Sequence, residues 1–534
     1  MRRALPVLTL LALTGLGVSA CGDPGATSAA VDKQHPTRLV LADGESDVNY
    51  HPATGYGQAG VSPVYDGLLR LAPTQPGRIP DFKPALAQDL PQANADASQW
   101  TVKLKEGIKF SDGTDFDAND VKASYDVAKD PETGSEVAAV YNVIKDVQAP
   151  DSHTVVFTLQ YPLSQFNSYL TYAIAPSERV AQGKVTENEL NQQPVGTGAY
   201  ELVEKRGDET IFKANESYWD GAAPVKELVI TTAADDTSRA QRVAAQEFDG
   251  AVIPSALAKS VAGNKNVRVD AAKGADWRAV SLPGTPELQD PKVRQALNLA
   301  VDRQAVVDGP LAGYGTPLGT LISDIYGDAH DPSAVFNLDT AKAERLLDEA
   351  GWAKGTNGIR HKDGKPFHVV LYYHGSDTGR RDVAIEFAGQ MKKLGIEFEP
   401  KAGTWDEITP KMNEAAVLLG GGDTPYDVDM MAYSNMHTRT EATSEYANPG
   451  NYGSPELDDV LQQARTEIDT TKRNELWRKA QQLWLENPSV LMLAHVDHVY
   501  VSQVNEWHKP DLLLEPHIHG ATWGPWWRVA EWTS

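Results

Sequence analysis

Three groups of residues in this chain have types and spacings that could support chemistry. Histidines occur in two close pairs, His495 with His498 and His517 with His519. On a strand, residues two apart share a face, so the second pair has a workable spacing for two metal ligands. Neither pair has a cysteine or an acidic cluster at the spacing of a zinc site, so surface or hinge positions are expected instead. Carboxylates stand close together at Asp235-Asp236, at Asp427 and Asp429, and at Asp458-Asp459. Such pairs can do acid–base work. In a chain with 73 Asp and Glu against 49 Lys and Arg, solvated surface and helix caps explain them better. Third, Gly196-Thr197-Gly198 could suggest a phosphate cradle. No Lys-Ser/Thr follows it and the next residues read as a strand, which excludes a P-loop. Gly-x-Ser-x-Gly, His-Glu-x-x-His and Cys-x-x-Cys are all absent from the sequence. The expectation is a protein that is not an enzyme and carries no cofactor.

Bulk properties narrow the class further. A length of 534 residues is too great for one core and implies two or three domains. Hydrophobic residues at 41% and charged residues at 23% are those of a folded chain rather than a disordered one. The formal net charge of −24 repels phosphate backbones and anionic lipid, so no nucleic-acid partner is expected. Arg2-Arg3 precedes an apolar run over 4–16 that is too short to span a bilayer comfortably. Val18-Ser19-Ala20-Cys21 then matches the lipobox of bacterial lipoproteins. Cys21 is the only cysteine, which rules out structural disulfides and makes it the expected site of diacylglycerol attachment. An ordinary secretory signal that ends near a cysteine is the alternative. No later apolar run is long enough for a transmembrane helix. The mature chain is therefore expected on the outer face of the cell membrane, in the periplasmic space, held by lipid and otherwise soluble.

The elements that would position any site can be taken in order. Residues 22–36 are small and polar without an apolar period, as in a tether. A strand follows at 38–41, then a Gly/Pro-rich loop over 43–62 with Tyr50, His51 and Tyr56 exposed enough to reach a ligand. Trp100, Val102 and Leu104 alternate with polar residues as in a half-buried strand. Ser111-Asp112-Gly113 makes a tight turn, and Asp117 caps a helix through Val121, Tyr125 and Ala128, with Asp120 in capping-box position. Residues 153–160 read as a further strand. Strand, helix and strand recur over 226–232, 238–246 and 248–252, and again over 367–373, 380–394 and 396–398, which is the building unit of α/β lobes. Leu282-Pro283-Gly284-Thr285-Pro286 breaks the pattern and marks a domain crossing. Asp290 caps a helix with Pro291 in its first turn and Val293, Leu297, Ala300 and Val301 on one face. Further helices open at Asp339 and at Ser454-Pro455, and Leu476, Trp477, Ala480, Leu483 and Trp484 stripe another. The apolar stretch 491–501 leads back across the hinge, and Trp523, Trp526 and Trp527 close the first lobe. No internal repeat is present.

Several of these segments resemble one family in order along nearly the whole mature chain. They are Tyr65-Asp66-Gly67-Leu68-Leu69, the strand–turn–helix over 100–121, Pro194-Val195-Gly196-Thr197-Gly198-Ala199-Tyr200, Asn215 to Gly221, and Asp290 to Arg303. The family is the peptide/nickel branch of the bacterial extracytoplasmic solute-binding proteins, the receptor subunits of ABC importers. Ala199 stands where the family pattern has proline. The resemblance implies an α/β, two-lobed periplasmic-binding-protein-like fold with a small inserted third lobe. It assigns 1–20 to a lipoprotein signal peptide, 21–36 to the tether, and 37–74 to the first part of lobe I. Residues 75–189 form the small lobe II, 190–283 the second part of lobe I, 284–502 lobe III, and 503–534 the C-terminal part of lobe I. A monomer would close on its ligand by hinge motion and deliver it to a membrane permease with its ATPase subunits.

The resemblance also points to a cleft-lining segment, 425–437. In peptide-binding relatives Tyr-Asp-Val is followed, after four residues, by aromatic-x-x-Asp, and that aspartate pairs with the peptide α-ammonium. Here Tyr433 fills the aromatic position but Met436 stands where the aspartate belongs. Asp429 or Asp423 then remains as counter-ion, or the ligand is neutral, anionic or blocked at its amino end. The candidate ligand-binding residues are Trp405, Tyr433, Asn435 and His437, with Trp277 and Tyr56 as further candidates. Trp405 and Trp277 could equally be lobe core. An oligopeptide is the leading ligand by family frequency. The runner-up is nickel on a small organic chelator, with His437 facing the metal, and an oligosaccharide stacked on tryptophans comes third. A secreted hydrolase or metalloenzyme is the competitor from another class.

Overall fold

The structure is a computed structural model and describes residues 34–44, 49–57, 60–422, 424, 426–441 and 443–534. Cys21, the tether up to residue 33, and Asp423 lie outside the described residues.

Alternation at Trp100, Val102 and Leu104 has its expected result. All three are buried, and the strand Gln99–Lys103 sits in a four-stranded antiparallel sheet with Gln92–Ala93, Thr154–Leu159 and Ile144–Asp151. Asp117 and Asp120 form a complete capping box on the helix Ala118–Lys129. That helix turns Val121, Tyr125 and Ala128 onto the sheet, where the Tyr125 ring meets Phe157 edge to face at 4.9 Å. This small sheet falls within the span 75–189.

Two larger sheets carry most of the remaining strands. The first has seven strands in the order Val267–Ala272, His498–Gln503, Gly250–Ile253, Arg38–Asp43, Glu227–Thr232, Glu209–Ala214 and Tyr200–Arg206. Arg38–Asp43 lies between the two strands of the 226–252 unit and runs parallel to both. The second has six strands, ordered Gly315–Pro317, Val490–Val496, Trp277–Ser281, Ala416–Gly421, His368–His374 and Glu397–Gly403. In it, His368–His374 and Glu397–Gly403 pair in parallel around the helix Thr378–Lys393. The helix Thr470–Glu486 buries Trp477 and Trp484 in this second core.

Three short sequence motifs fasten the first body at one carboxylate. Trp219 Nε1 and Thr197 Oγ1 both donate to Asp66 Oδ2, at 2.9 and 3.2 Å, and the Tyr218 hydroxyl reaches Oδ1 at 3.4 Å. Gly198 N–H donates to Val64 O, and a Cβ at Gly198 would stand 2.3 Å from the Val64 carbonyl carbon, so only glycine fits there. The Asp290 helix is likewise structural. Arg294 and Arg303 are buried and spend their guanidinium protons on carbonyl oxygens, among them Pro488 O (2.9 Å) and Met492 O (2.8 Å).

Two expectations need correction. The passage between the large sheets is not at Leu282–Pro286, because Trp277–Ser281 is already paired in the second sheet. The chain crosses at 273–276 and returns at Asp497, between Val490–Val496 and His498–Gln503. The Gly/Pro tract ends a strand, whereas the true crossing is fixed by backbone pairing: Glu515 N–H donates to Lys273 O and Ala275 N–H to Glu515 O. Gly274 is required at that crossing, since a Cβ there would lie 2.0 Å from Val496 O. Tyr50 and His51 are also not exposed, at 2% and 0%. His51 Nδ1 accepts from Ala53 N–H and its Nε2 meets Val180 O at 3.0 Å, so the ring caps a turn and ties two segments together.

Candidate functional site

A cavity of about 500 Å³ opens at the second sheet. Its walls come from the segments just beyond the carboxyl ends of the parallel strands, the usual place for a ligand in an open α/β sheet. After His368–His374 the helix Thr378–Lys393 contributes Arg380 from its first turn. After Glu397–Gly403 a short helix contributes Trp405. The floor is the end of Ala416–Gly421, a Gly420-Gly421-Gly422 run on which larger groups rest. A Cβ at Gly421 would lie 2.3 Å from Trp277 Cζ2, so the absence of a side chain lets the indole lie against the strand. Trp277 is 7% exposed, and its Nε1 donates to Met431 Sδ at 3.1 Å. Trp405 stacks on His374 at 5.3 Å and meets Tyr446 edge to face at 5.7 Å. Both tryptophans therefore line the cavity while packing on the lobe core. Met430, Asn435 and Tyr446 complete this side, and His517 is the one lining residue contributed by the C-terminal segment.

Behind His517 lies a buried ionic network at the crossings themselves. His517 Nδ1 meets Asp276 Oδ1 at 2.7 Å, and Arg278 donates to the same oxygen. His498 bridges Asp276 Oδ2 (3.3 Å) and Glu515 Oε2 (2.8 Å), and the Tyr500 hydroxyl also donates to Glu515 Oε2 (2.6 Å). His519 stacks on His498 with ring centroids 3.4 Å apart. Burial opposes the Asp276 charge, but Arg278 and the two histidines outweigh it and hold the carboxyl well below the usual range. Burial would lower His498, yet its hydrogen bonds to Asp276 and Glu515 raise it to about 9. Asp276 sits in the outward crossing, His498 just past the return one, and Glu515 on the segment paired to the first. Both chain passages between the large bodies, and the Glu515 segment paired to the first of them, thus meet in one charge network.

A second contact joins the small lobe to the second large body. Ser168 Oγ donates to Asp427 Oδ2 at 2.6 Å, while Asp427 Oδ1 accepts from Met430 N–H and caps the helix Val428–Met436. Arg465 makes a two-pronged pair with Asp429, at 2.9 and 3.0 Å, and lies over the rings of Tyr433 (3.2 Å) and Tyr161 (4.9 Å). Burial, and then repulsion from Asp429, push Asp427 up to about 7.

The sequence candidates divide accordingly. Trp277, Trp405 and Asn435 line the cavity. Tyr433 faces Arg465 instead, and its hydroxyl donates to Gln462 Oε1 at 3.2 Å. His437 ends the same helix, stacks on Tyr433 at 4.8 Å and points Nδ1 at Thr438 O, near Asp458. Tyr56 packs edge to face on Tyr50 in the first body. Met436 is 0% exposed in the second core, so the position matched to the family's aspartate faces away from the cavity. Among the described residues no group of three or more His, Cys, Asp or Glu could hold a metal ion. Arg380 and the glycine run were not singled out in the sequence. A helix-opening arginine after a strand, and three consecutive glycines at a strand end, were the available signals.

Comparison with known proteins places this architecture. Residues 81–443 match the family described as bacterial extracellular solute-binding proteins, family 5 Middle. The chain is 34% identical over 504 residues to Protein XP55 of Streptomyces lividans, covering 93% of this chain and 91% of that one. It is 30% identical over 461 residues to the glutathione-binding protein GsiB of Escherichia coli strain K12, covering 82% and 84%. The crystal structure of NikZ from Campylobacter jejuni in complex with Ni(L-His) superposes with a TM-score of 0.76 at 25% identity, covering 93% of this chain and 99% of that one. Two α/β bodies joined by crossings and a cavity beside them agree with that match. The chain belongs to family 5 of the bacterial extracellular solute-binding proteins, the receptors, not enzymes, that serve ABC importers of the peptide/nickel type.

Proposed function

We propose that this receptor is anchored through a lipid on Cys21, captures a small peptide or peptide-like solute by hinge closure as a monomer, and hands it to a membrane permease. The observation that carries the reading is the cavity beside the crossings. Trp277 and Trp405 offer apolar faces, Asn435 and Tyr446 offer polar groups, and His517 links the cavity wall to the hinge network. A volume of about 500 Å³ lies in the range of ligand pockets and suits a peptide of a few residues. The likeness to a glutathione-binding protein favours the same ligand class. Closure would bury the aromatic faces and repack contacts such as Ser168 with Asp427, which gives a ligand its leverage on the equilibrium. Ligand-contact roles are proposed for Trp277, Trp405 and Asn435. Tyr433 is assigned to the contact between lobes, through Arg465, and His437 and Tyr56 to packing.

A nickel chelate is the second reading, favoured by the likeness to NikZ with Ni(L-His). His517 then replaces His437 as the cavity histidine, with the chelator supplying the other ligands. The experiment is to purify the chain without its first 21 residues and identify co-purifying ligand by native mass spectrometry. A retained peptide supports the main reading, and nickel lost in H517A supports the second. Turnover of any bound compound refutes both. Retention of C21A in the membrane fraction refutes the lipid anchor.

A further inference from the structure

We infer that Ser168 is a positioning residue for solute capture: its grip on Asp427 holds the cavity helix Val428–Met436 in place when the lobes close, and breaks when they open. This rests on the preceding reading that the receptor works by hinge closure. Ser168 belongs to the small lobe, in the short helix Phe166–Thr171, whose Phe166, Tyr169 and Leu170 are buried in the core shared with the first body. Asp427 belongs to the second large body and opens the helix that brings Met430, Met431 and Asn435 to the cavity. One carboxyl spans both: Oδ1 accepts from Met430 N–H at 2.8 Å, and Oδ2 lies 2.6 Å from Ser168 Oγ. The small lobe takes a second grip four residues earlier, where Ser164 N–H and Oγ–H both donate to Arg465 O, at 3.3 and 3.2 Å. Any opening that parts the small lobe from the second body must break these bonds.

The protons at this contact decide what it responds to. Ser168 Oγ has one proton and two acceptors in reach, Asp427 Oδ2 and, at 3.1 Å, Gln165 O. With Asp427 ionised, one of the two goes without. With Asp427 protonated, the carboxyl donates to Ser168 Oγ and the hydroxyl donates to Gln165 O, so both oxygens are served. The surroundings favour the protonated form as well. Asp427 is 2% exposed, and Arg465 commits both prongs to Asp429. The groups facing Asp427 are Asp429 from its own helix, Arg465 from Pro455–Thr466, Arg473 from Thr470–Glu486, Tyr326 from Asp324–Ala329, and Tyr161 and Tyr169 from the small lobe. Burial and Asp429 prevail, and Asp427 is held up at about 7. Opening withdraws Ser168 and Tyr169 and admits water, which returns the carboxyl toward its ordinary 3.8. The closed form therefore holds the proton more tightly. Its advantage over the open form is complete below 3.8 and is lost as pH rises through 7, so closure takes up a proton between those limits.

The test is single-molecule energy transfer in the mature full-length chain, with dyes on K145C in the small lobe and K392C in the second body, both exposed positions, and C21A removing the only native thiol. Wild type, S168A, S168T, D427N and D423N are followed at about pH 5.5 and about pH 8, with and without an equimolar tripeptide library. Two interconverting distances are expected. The closed-to-open ratio should fall about 10- to 30-fold from the acidic to the alkaline buffer, chiefly through faster opening. D427N should abolish that dependence and D423N should keep it. S168A should shorten the closed lifetime about 10-fold in the acidic buffer, and S168T should restore part of it. Thermal melts establish that each variant is folded, and S168T keeps the test open should S168A not fold. A pH response intact in folded D427N overturns the inference, as does a closed lifetime unchanged in folded S168A. Lobe motion insensitive to both substitutions would strike this role of Ser168 and leave hinge closure standing. A single fixed distance under every condition refutes hinge closure itself, and the inference with it.

Discussion

Replacing Asp427 with asparagine removes one charge from the contact between the small lobe and the second large body with little change of shape. Asparagine is as good an N-cap as aspartate, so its oxygen can still accept from Met430 N–H, and its amide can donate to Ser168 Oγ. What changes is titration. In the fold Asp427 ionises at about 7, against an ordinary 3.8 for the unfolded chain. A group raised on folding binds its proton more tightly in the folded state. Its contribution is complete below 3.8 and is lost as pH rises through 7. From about pH 5.5 to the folded value near 7 is about 1.5 units, so wild type should lose about 2 kcal/mol from this residue on going to about pH 8. The asparagine variant should not. The assay is urea unfolding of both proteins at those two pH values, followed by tryptophan fluorescence. The quantity of interest is the change in the wild type-to-variant difference, because groups that do not interact with Asp427, His498 among them, cancel from it. The variant should gain about 2 kcal/mol on wild type between the acidic and the alkaline buffer. A difference that stays constant, or moves the other way, refutes the assignment of a buried, charge-penalised Asp427.

Glu515→Gln should remove the anionic partner from His498 Nδ1 and bring its pKa down from about 9. Since a raised histidine stabilises below 6.5 and loses that contribution as pH rises through about 9, the variant should show a flatter stability profile across that window, checked by histidine NMR titration and unfolding. Arg465→Met should leave Asp429 buried without its partner and cost about 3–5 kcal/mol, read by urea unfolding. Gly421→Ala should force Trp277 off the strand, costing about 1–3 kcal/mol and weakening retention of the co-purified ligand, seen in the melting curve and by native mass spectrometry.

Local structure was readable because it depends on neighbours in the chain. Alternation at Trp100, Val102 and Leu104, the acids at 117 and 120, and Pro291 after Asp290 act over two to four residues, and each gave the expected element. The same locality explains the misplaced crossing. Leu282–Pro286 has every mark of a break, and it does end a strand, but where a chain changes sheets is decided by pairing partners far away in sequence. Gly274 and Glu515 are more than two hundred positions apart, and their bridge sets the crossing. His51 misled for a related reason: its loop is polar and Gly-rich, yet Val180 and Asn191 take up its ring and backbone.

Composition, the lone cysteine and the ordered motifs were enough, by themselves, to determine the family, the α/β class and the absence of catalytic motifs. Those properties are written in residue identity and short spacing. The site was decided only by tertiary structure. Tyr433, Asn435 and His437 alternate along one stretch, but the helix Val428–Met436 sends only Asn435 to the cavity and turns the others to Arg465 and Asp458. Arg380 and His517, 137 residues apart, face each other only because a bare Gly420 lets two segments approach across a strand end. Side-chain direction is set by helix phase and close backbone approach, and neither can be read from a spacing until the surrounding elements are packed.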